Sequence, residues 1–281
     1  MIDVNIINRV KLLFDELNWK SKGDDNTINK LFDRFVEMLY NLSEDERNLV
    51  IEMTKDFLLC NTLVAYNDTF NKILDGLNDS VYENVREIIA LPLVSPEDAD
   101  KSKSGDFCLY LFKGKLAAIA REKNIKFNQY VILDALNKYH GDRENALIFF
   151  IDDFIGSGIT ANKAIKYYNT KLRVSTDRAC ILALVSQKSA IEYLEDPSVK
   201  IIVGFMRFKG IYDSTRISDK YNAYLLMDAI ENKLNIREIY KRGYRQTEAL
   251  VSMIRCPNNT FPVYWCRHRV DGKTWPAPFE R

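Results

Sequence analysis

Two adjacent acids, Asp152 and Asp153, close an apolar run at residues 146–151, and a short loop of Gly156, Ser157 and Gly158 follows them. Paired carboxylates accept hydrogen bonds from sugar hydroxyls. A small-residue loop that opens a helix turns backbone N–H groups and the positive end of a helix dipole towards a phosphate. Together these groups suit a sugar phosphate. Two elements must position them. The run ALIFFI has the unbroken hydrophobicity of a strand buried on both faces of a parallel sheet. Beyond the loop, residues 159–168 carry Ala161, Ala164, Ile165 and Tyr168 on one face of a helix.

Other phosphate loops fit less well. Residues 156–161 satisfy G-x-G-x-x-A, but the dinucleotide fingerprint belongs to the first strand–helix turn of its unit. Here a strand and a helix come before it. The acid expected to end the next strand is also missing, because Asp177 stands at that strand's start and Gln187 lies past its expected end. A Walker loop fails for want of G-K-[ST].

The totals exclude several classes. Forty Lys and Arg stand against 39 Asp and Glu, so there is no global basic field of the kind that implies nonspecific nucleic-acid binding. An apolar share of 47% argues for a packed globule. No apolar run reaches the ~20 residues of a membrane span. The first residues show no basic start or cleavage pattern, so a cytoplasmic protein is expected. Cys60, Cys108, Cys180, Cys256 and Cys266 are widely spaced without C-x-x-C, and only His140 and His268 could join them. Reduced thiols acting as small core residues are expected, with no structural zinc.

Along the chain, helical periodicity fills residues 4–17, 29–42, 61–77 and 80–86. A capping box at Ser43 and Glu46 opens another helix towards residue 59. Residues 1–87 therefore read as a helical cap or partner-docking region. From residue 88 strand and helix alternate. Strands are expected at 88–94 (an edge or short strand, because of Pro92), 146–151, 178–185 and 199–205. Helices are expected at 107–123, with an interruption at Gly114, and at 159–168, 188–194 and 217–234. Residues 127–139 are ambiguous, and 248–255 read as a late strand or short helix. The fold class is α/β: a parallel sheet with helices on both faces, over residues 88–281, ending in an aromatic tail.

The whole string from the strand through DDFIGSGIT resembles the signature of type I phosphoribosyltransferases, which bind 5-phosphoribosyl-1-pyrophosphate. The resemblance implies that Asp152 and Asp153 hold the ribose hydroxyls. It makes Ile155, Gly156, Ser157, Gly158 and Thr160 the cradle of the 5′-phosphate. It also implies a pyrophosphate loop after the first core strand, where this chain has Lys101, Ser102, Lys103, Ser104 and Gly105. Arg207 and Lys209, beyond the strand 199–205, are candidates for further positive charge, because ligands sit outside the carboxyl ends of such strands. Purine-type members carry an acid at the position of Gly156, so purine salvage is not implied here.

The segment from Gly243 and Tyr244 through Pro257, Asn258, Asn259 and Thr260 to Trp265 and Trp275 narrows the resemblance. With the helical N-terminal region and the acid–glycine loop, it resembles the phosphoribosyltransferase-like proteins of bacterial conflict systems, some of which accompany retrons in antiphage defence. Arg245 departs from that pattern, standing where a small residue is expected. Residues 257–260 read either as a turn or as a loop presenting Asn258 and Asn259 to a nucleotide.

The resemblance implies a toxin-like effector that takes phosphoribosyl pyrophosphate with Mg2+. The ion would be held mainly by the ligand, with a share from Asp152 or Asp153. Lys103, with Lys101, would favour departure of the pyrophosphate. A protein partner would dock on the N-terminal helices, a reverse transcriptase–nucleic acid complex being one candidate; no membrane is implied. Two other readings stay open: a non-catalytic nucleotide sensor or regulatory subunit, and an enzyme cleaving the glycosidic bond of a nucleotide such as NAD.

Overall fold

A computed structural model describes residues 4–19, 26–99, 101, 103–139, 143–194, 196–270, 272–279 and 281. Helices α1 (Val4–Glu16), α2 (Asn26–Tyr40) and α3 (Glu44–Thr54) lead to strand β1 (Leu58–Cys60) and helix α4 (Leu63–Asp75). Then come β2 (Glu87–Pro92), α5 (Ser104–Glu122), β3 (Lys126–Gln129), β4 (Ala146–Ile155) and α6 (Ile159–Tyr167). After these follow β5 (Arg178–Gln187), α7 (Lys188–Tyr193), β6 (Val199–Arg207) and α8 (Lys220–Lys233). The short strands β7 (Val251–Met253), β8 (Arg269–Val270) and β9 (Lys273–Thr274) come last.

These elements form two compact units, Thr62–Arg207 and Met1–Asn61 together with Phe208–Arg281. The division expected at 87/88 is thus drawn at 61/62, and a second one appears at 207/208. Helix α4 goes with the sheet, and the aromatic tail goes with the N-terminal helices.

The α/β unit holds a five-stranded parallel sheet in the order β3-β2-β4-β5-β6. Strand β4 lies in the middle, which is why residues 146–151 are apolar without alternation. It runs further than hydrophobicity indicates, because β5 pairs alongside from Leu147 to Ile155. Both acids therefore lie on strand rather than after it. Strand β2 is not an edge, since it pairs with both β3 and β4. Pro92 is its last residue, and the ladder continues past it as Leu93 N–H donates to Ile151 O at 2.8 Å.

On one face of the sheet Ile148, Phe150, Ile181 and Ala183 pack with Ala161, Ala164 and Ile165 of α6. Helices α4 and α5 meet through Phe70 and Phe112, stacked at 3.8 Å. Gly204 on β6 admits α4 closely, because a Cβ there would lie 2.2 Å from the Thr69 methyl. Helix α5 passes through Gly114 without interruption. Residues 127–139 resolve into β3 and a 3-10 turn, Leu133–Tyr139, and the helix expected at 80–86 is the 3-10 turn Asp79–Tyr82.

In the other unit the capping box forms as expected. Ser43 N–H donates to Glu46 Oε2 at 2.7 Å, and Glu46 N–H donates to Ser43 Oγ at 3.4 Å. Helix α3 stops at Thr54 because residues 58–60 are taken by a parallel pairing of β1 with β7. The aromatic tail is core: Phe279 stacks on Phe57 at 4.8 Å, and the buried Tyr264 hydroxyl lies 2.9 Å from that of Thr54. All five cysteines are buried thiols outside any disulfide. His140 lies outside the described residues, and His268 meets Leu234 O through Nδ1 at 3.0 Å. Among the described residues no helix is long and apolar enough to cross a membrane.

Candidate functional site

The order of the sheet reverses direction between β2 and β4, and ligands of such sheets bind in the crevice outside the strand ends at that switch. Two loops of this chain meet there. One follows β2 and leads through residues 93–103 into α5; the other follows β4 and opens α6. The start of α5 is tied directly to β4, because Ser104 Oγ donates to Asp152 Oδ1 at 2.7 Å.

Each acid has its own partners. Asp152, half-buried, also accepts from Asp153 N–H at 2.9 Å. Burial, and then the negative charge of Asp153, hold the Asp152 carboxyl well above the usual carboxylate range, while the Ser104 bond pulls the other way. Asp153 is buried, and its Oδ2 accepts from the Tyr66 hydroxyl at 2.8 Å. Tyr66, on α4, comes from the stretch in which sequence indicates no chemistry. The one sign it gives is a tyrosine, with a hydroxyl needing a partner, at a core position of an apolar helical stripe.

The glycine loop is set by backbone conformation and close packing. Gly158 is left-handed at φ +77° and stands at the N-cap of α6, so no side chain caps that helix. A Cβ at Gly158 would lie 2.9 Å from Ala190 O on α7. The amides of the first helical turn have no intrahelical acceptor, which leaves them for an anion. Ile155 and Gly156 are buried at the end of β4, Ser157 is half-buried, and Thr160 is exposed on the first turn of α6.

The β2 loop brings its cations together on one acid. Lys101 Nζ lies 2.6 Å from Asp98 Oδ1 and Lys103 Nζ 3.1 Å from Asp98 Oδ2. Hydrogen bonds from Lys101 and then Lys103 hold the Asp98 carboxyl at about 2. Lys103 N–H is taken by Asp106 Oδ2 at 2.9 Å, which fixes the start of α5. Gly105 allows that start to sit against the sheet, since a Cβ there would come within 2.9 Å of Ile151 O. Ser102 lies outside the described residues.

The remaining expected site residues fall on another strand of the sheet or in the other unit. Arg207 closes β6 beside Gln187, the last residue of β5, and is two strands away from β4. Gln187 thus ends its strand instead of lying beyond it. Lys209 belongs to the other unit, with Nζ 5.8 Å from the Tyr212 ring centre. Asn258 and Asn259 are also in that unit, in a turn in which Thr260 N–H reaches Pro257 O at 3.1 Å. Asn259 Nδ2 donates to Thr247 Oγ1 at 3.2 Å, and Thr260 Oγ1 donates to Val251 O at 2.6 Å. The main chain passes so close that a Cβ on Gly243, itself at φ +78°, would fall 1.8 Å from Asn259 O. Arg245 adopts a left-handed conformation, φ +58°, in which glycine is the least strained residue.

A parallel sheet with an acid pair and glycine loop at its switch point is the architecture of a phosphoribosyltransferase-like protein. Residues 24–281 match the PRTase-CE family model, and the chain belongs to that family. No curated protein matches it. Among solved structures it is similar to orotate phosphoribosyltransferase from Aeropyrum pernix, at 14% identity and TM-score 0.32 over 51% of this chain and 71% of that one. It is similar to hypoxanthine-guanine phosphoribosyltransferase from Schistosoma mansoni, solved with IMP, at 15% identity and TM-score 0.35 over 54% and 67%. A hypothetical protein from Neisseria gonorrhoeae with bound ppGpp shows 11% identity and TM-score 0.34 over 62% and 97%.

Proposed function

We propose that the switch-point crevice binds 5-phosphoribosyl-1-pyrophosphate and that the chain transfers its phosphoribosyl group. The observation that carries this is the 2.7 Å bond from Ser104 to Asp152, which ties the loop bearing two lysines to the strand end bearing two acids. In this reading the first-turn amides of α6, with Ser157 and Thr160, receive the 5′-phosphate. Asp152 and Asp153 accept from the ribose hydroxyls. Lys101 and Lys103 exchange Asp98 for the pyrophosphate oxygens.

Transfer breaks the bond from ribose C1 to a pyrophosphate oxygen, and the electron pair leaves with the pyrophosphate. Positive charge builds on the sugar ring, where the acid pair stabilises it electrostatically, and an acceptor lone pair forms the new bond to C1. Magnesium fits the donors present, since Asp152 and Asp153 are hard oxygen ligands. Among the described residues no three acids, histidines or cysteines gather into a cage, so most of its ligands would be phosphate and ribose oxygens. When bound, it would neutralise pyrophosphate charge.

The effector role in a bacterial conflict system belongs to the same proposal and draws on the resemblance of residues 243–275 with the N-terminal helices. The test of transfer is pyrophosphate release from the donor with magnesium, in candidate acceptor pools. Release that disappears in Asp152→Asn and Asp153→Asn supports it; release unchanged in both removes it. Growth arrest on expression, relieved by the same substitutions in folded protein, tests the effector role.

A further inference from the structure

Tyr66 stands outside every phosphate-binding and acid-bearing segment, yet it reaches the centre of the site. Its side chain is 1% exposed, and its hydroxyl donates to Asp153 Oδ2 at 2.8 Å across 87 positions of sequence. The ring also meets Phe107 edge-on at 6.1 Å, one turn beyond Ser104 on α5. One side chain thus abuts both halves of the crevice, the strand-end acid and the helix that starts at the β2 loop.

Helix α4 is held in a way that leaves Tyr66 little freedom. Thr62 caps it, accepting from Ala65 N–H at 3.1 Å. One turn after Tyr66, Thr69 sits over Gly204 of β6 and Phe70 stacks on Phe112 of α5. A tyrosine ring alone would satisfy this packing. The hydroxyl adds a directed bond to a carboxylate that has few rotamers left once one oxygen is taken.

We propose, on the basis of the phosphoribosyl site described above, that Tyr66 is a positioning residue for ribose recognition. Its buried hydroxyl fixes the carboxylate of Asp153, so that the remaining lone pairs meet the ribose hydroxyls in a set direction. The phosphate cradle and the lysine loop do not depend on it. Tyr66 therefore governs affinity for ligands that contain ribose and leaves affinity for a bare pyrophosphate alone. A merely structural tyrosine would weaken both alike.

The experiment uses the full chain with magnesium and two probes, 5-phosphoribosyl-1-pyrophosphate and inorganic pyrophosphate, in titration calorimetry. Tyr66→Phe, which keeps the ring, is expected to weaken the phosphoribosyl ligand about tenfold, the loss of one oriented charge-assisted hydrogen bond. Pyrophosphate affinity should stay within about twofold. In an Asp153→Asn background the added Tyr66→Phe should cost little more, because the carboxylate it orients is gone. Equal weakening of both probes, or of neither, would overturn the proposal. So would a Tyr66→Phe chain that fails to fold while Asp153→Asn folds, since that assigns the hydroxyl to stability. A wild-type chain that binds neither probe instead removes the site reading itself. Wild-type binding of pyrophosphate with no preference for the ribosylated ligand removes the ribose role of the acids.

Discussion

In the α/β unit Asp152 and Asp153 take side-chain hydrogen bonds from Ser104 and Tyr66, whereas in the other unit two of the three bonds to Glu248 come from main-chain amides. Glu248 Oε2 accepts from the amides of Ile211 and Tyr212, both at 2.9 Å, and Oε1 from the Tyr224 hydroxyl at 2.9 Å. Around it the backbone is strained. Arg242, Gly243, Arg245, Gln246 and Glu248 all have positive φ. Each such non-glycine residue costs on the order of 1 kcal/mol. Buried acids and ion pairs hold the strained segment in place. Arg242 N–H reaches Glu231 Oε1 at 2.8 Å, and its guanidinium pairs with Asp228 at 2.6 Å. An acid whose lone pairs are spent on amides fixes a chain path. An acid held by a side-chain hydroxyl near a strand end keeps lone pairs that a ligand can meet.

That contrast can be broken at graded points. The largest effect is expected from Glu248→Ala, which strands two amides and a hydroxyl in a buried place. It should lower unfolding free energy by about 3 kcal/mol in urea titration. A loss under about 1 kcal/mol would contradict the structural role of Glu248.

Next is the pH response of Glu231. Burial, the largest cause, raises its carboxyl to about 8, so it is uncharged in the fold at neutral pH while the unfolded chain ionises near the ordinary value of 4.5. Between those values the folded state binds more protons. The stability it contributes is complete below about pH 4.5 and is lost as pH rises through about 8. From pH 5 to pH 9 the loss should amount to a few kcal/mol, and Glu231→Gln should flatten it. An unchanged slope in that variant would place the pH dependence elsewhere.

In the α/β unit, Gly158→Ala forces a side chain into the left-handed conformation and against Ala190 O. About 1–2 kcal/mol of stability should go, and phosphoribosyl pyrophosphate should bind about tenfold more weakly. The smallest change is expected from Asp98→Asn. It releases Lys101 and Lys103 from an exposed ion pair, and pyrophosphate should bind about threefold more tightly. Weaker binding would mean that Asp98 aligns the lysines rather than competing for them.

Much of the α/β unit is legible in the sequence because β4 and β5 are buried on both faces, and continuous apolar runs report that directly. The acid pair and the glycine loop are legible for a chemical reason, since few other roles need two carboxylates, then Gly156, Ser157 and Gly158, in that order. What hydrophobicity misses is long-range. Residues 58–60 look like the end of a helix until β7 pairs with them. The 61/62 boundary is hidden because α4 has the same apolar stripe as α1–α3. Tyr66 is hidden for the same reason, since only the fold brings position 66 to position 153. Gly243 and the turn at 257–260 meet in a close main-chain crossing, a contact that spacing alone does not reveal.

The most direct measurement of the central claim is calorimetric titration of phosphoribosyl pyrophosphate, with magnesium, into the wild-type chain and into Asp152→Asn and Asp153→Asn. The account predicts saturable binding by wild type. It predicts about hundredfold weaker binding in each variant, from the loss of charge-assisted bonds to ribose, with thermal midpoints within a few degrees of wild type. Equal affinity in all three proteins would contradict it.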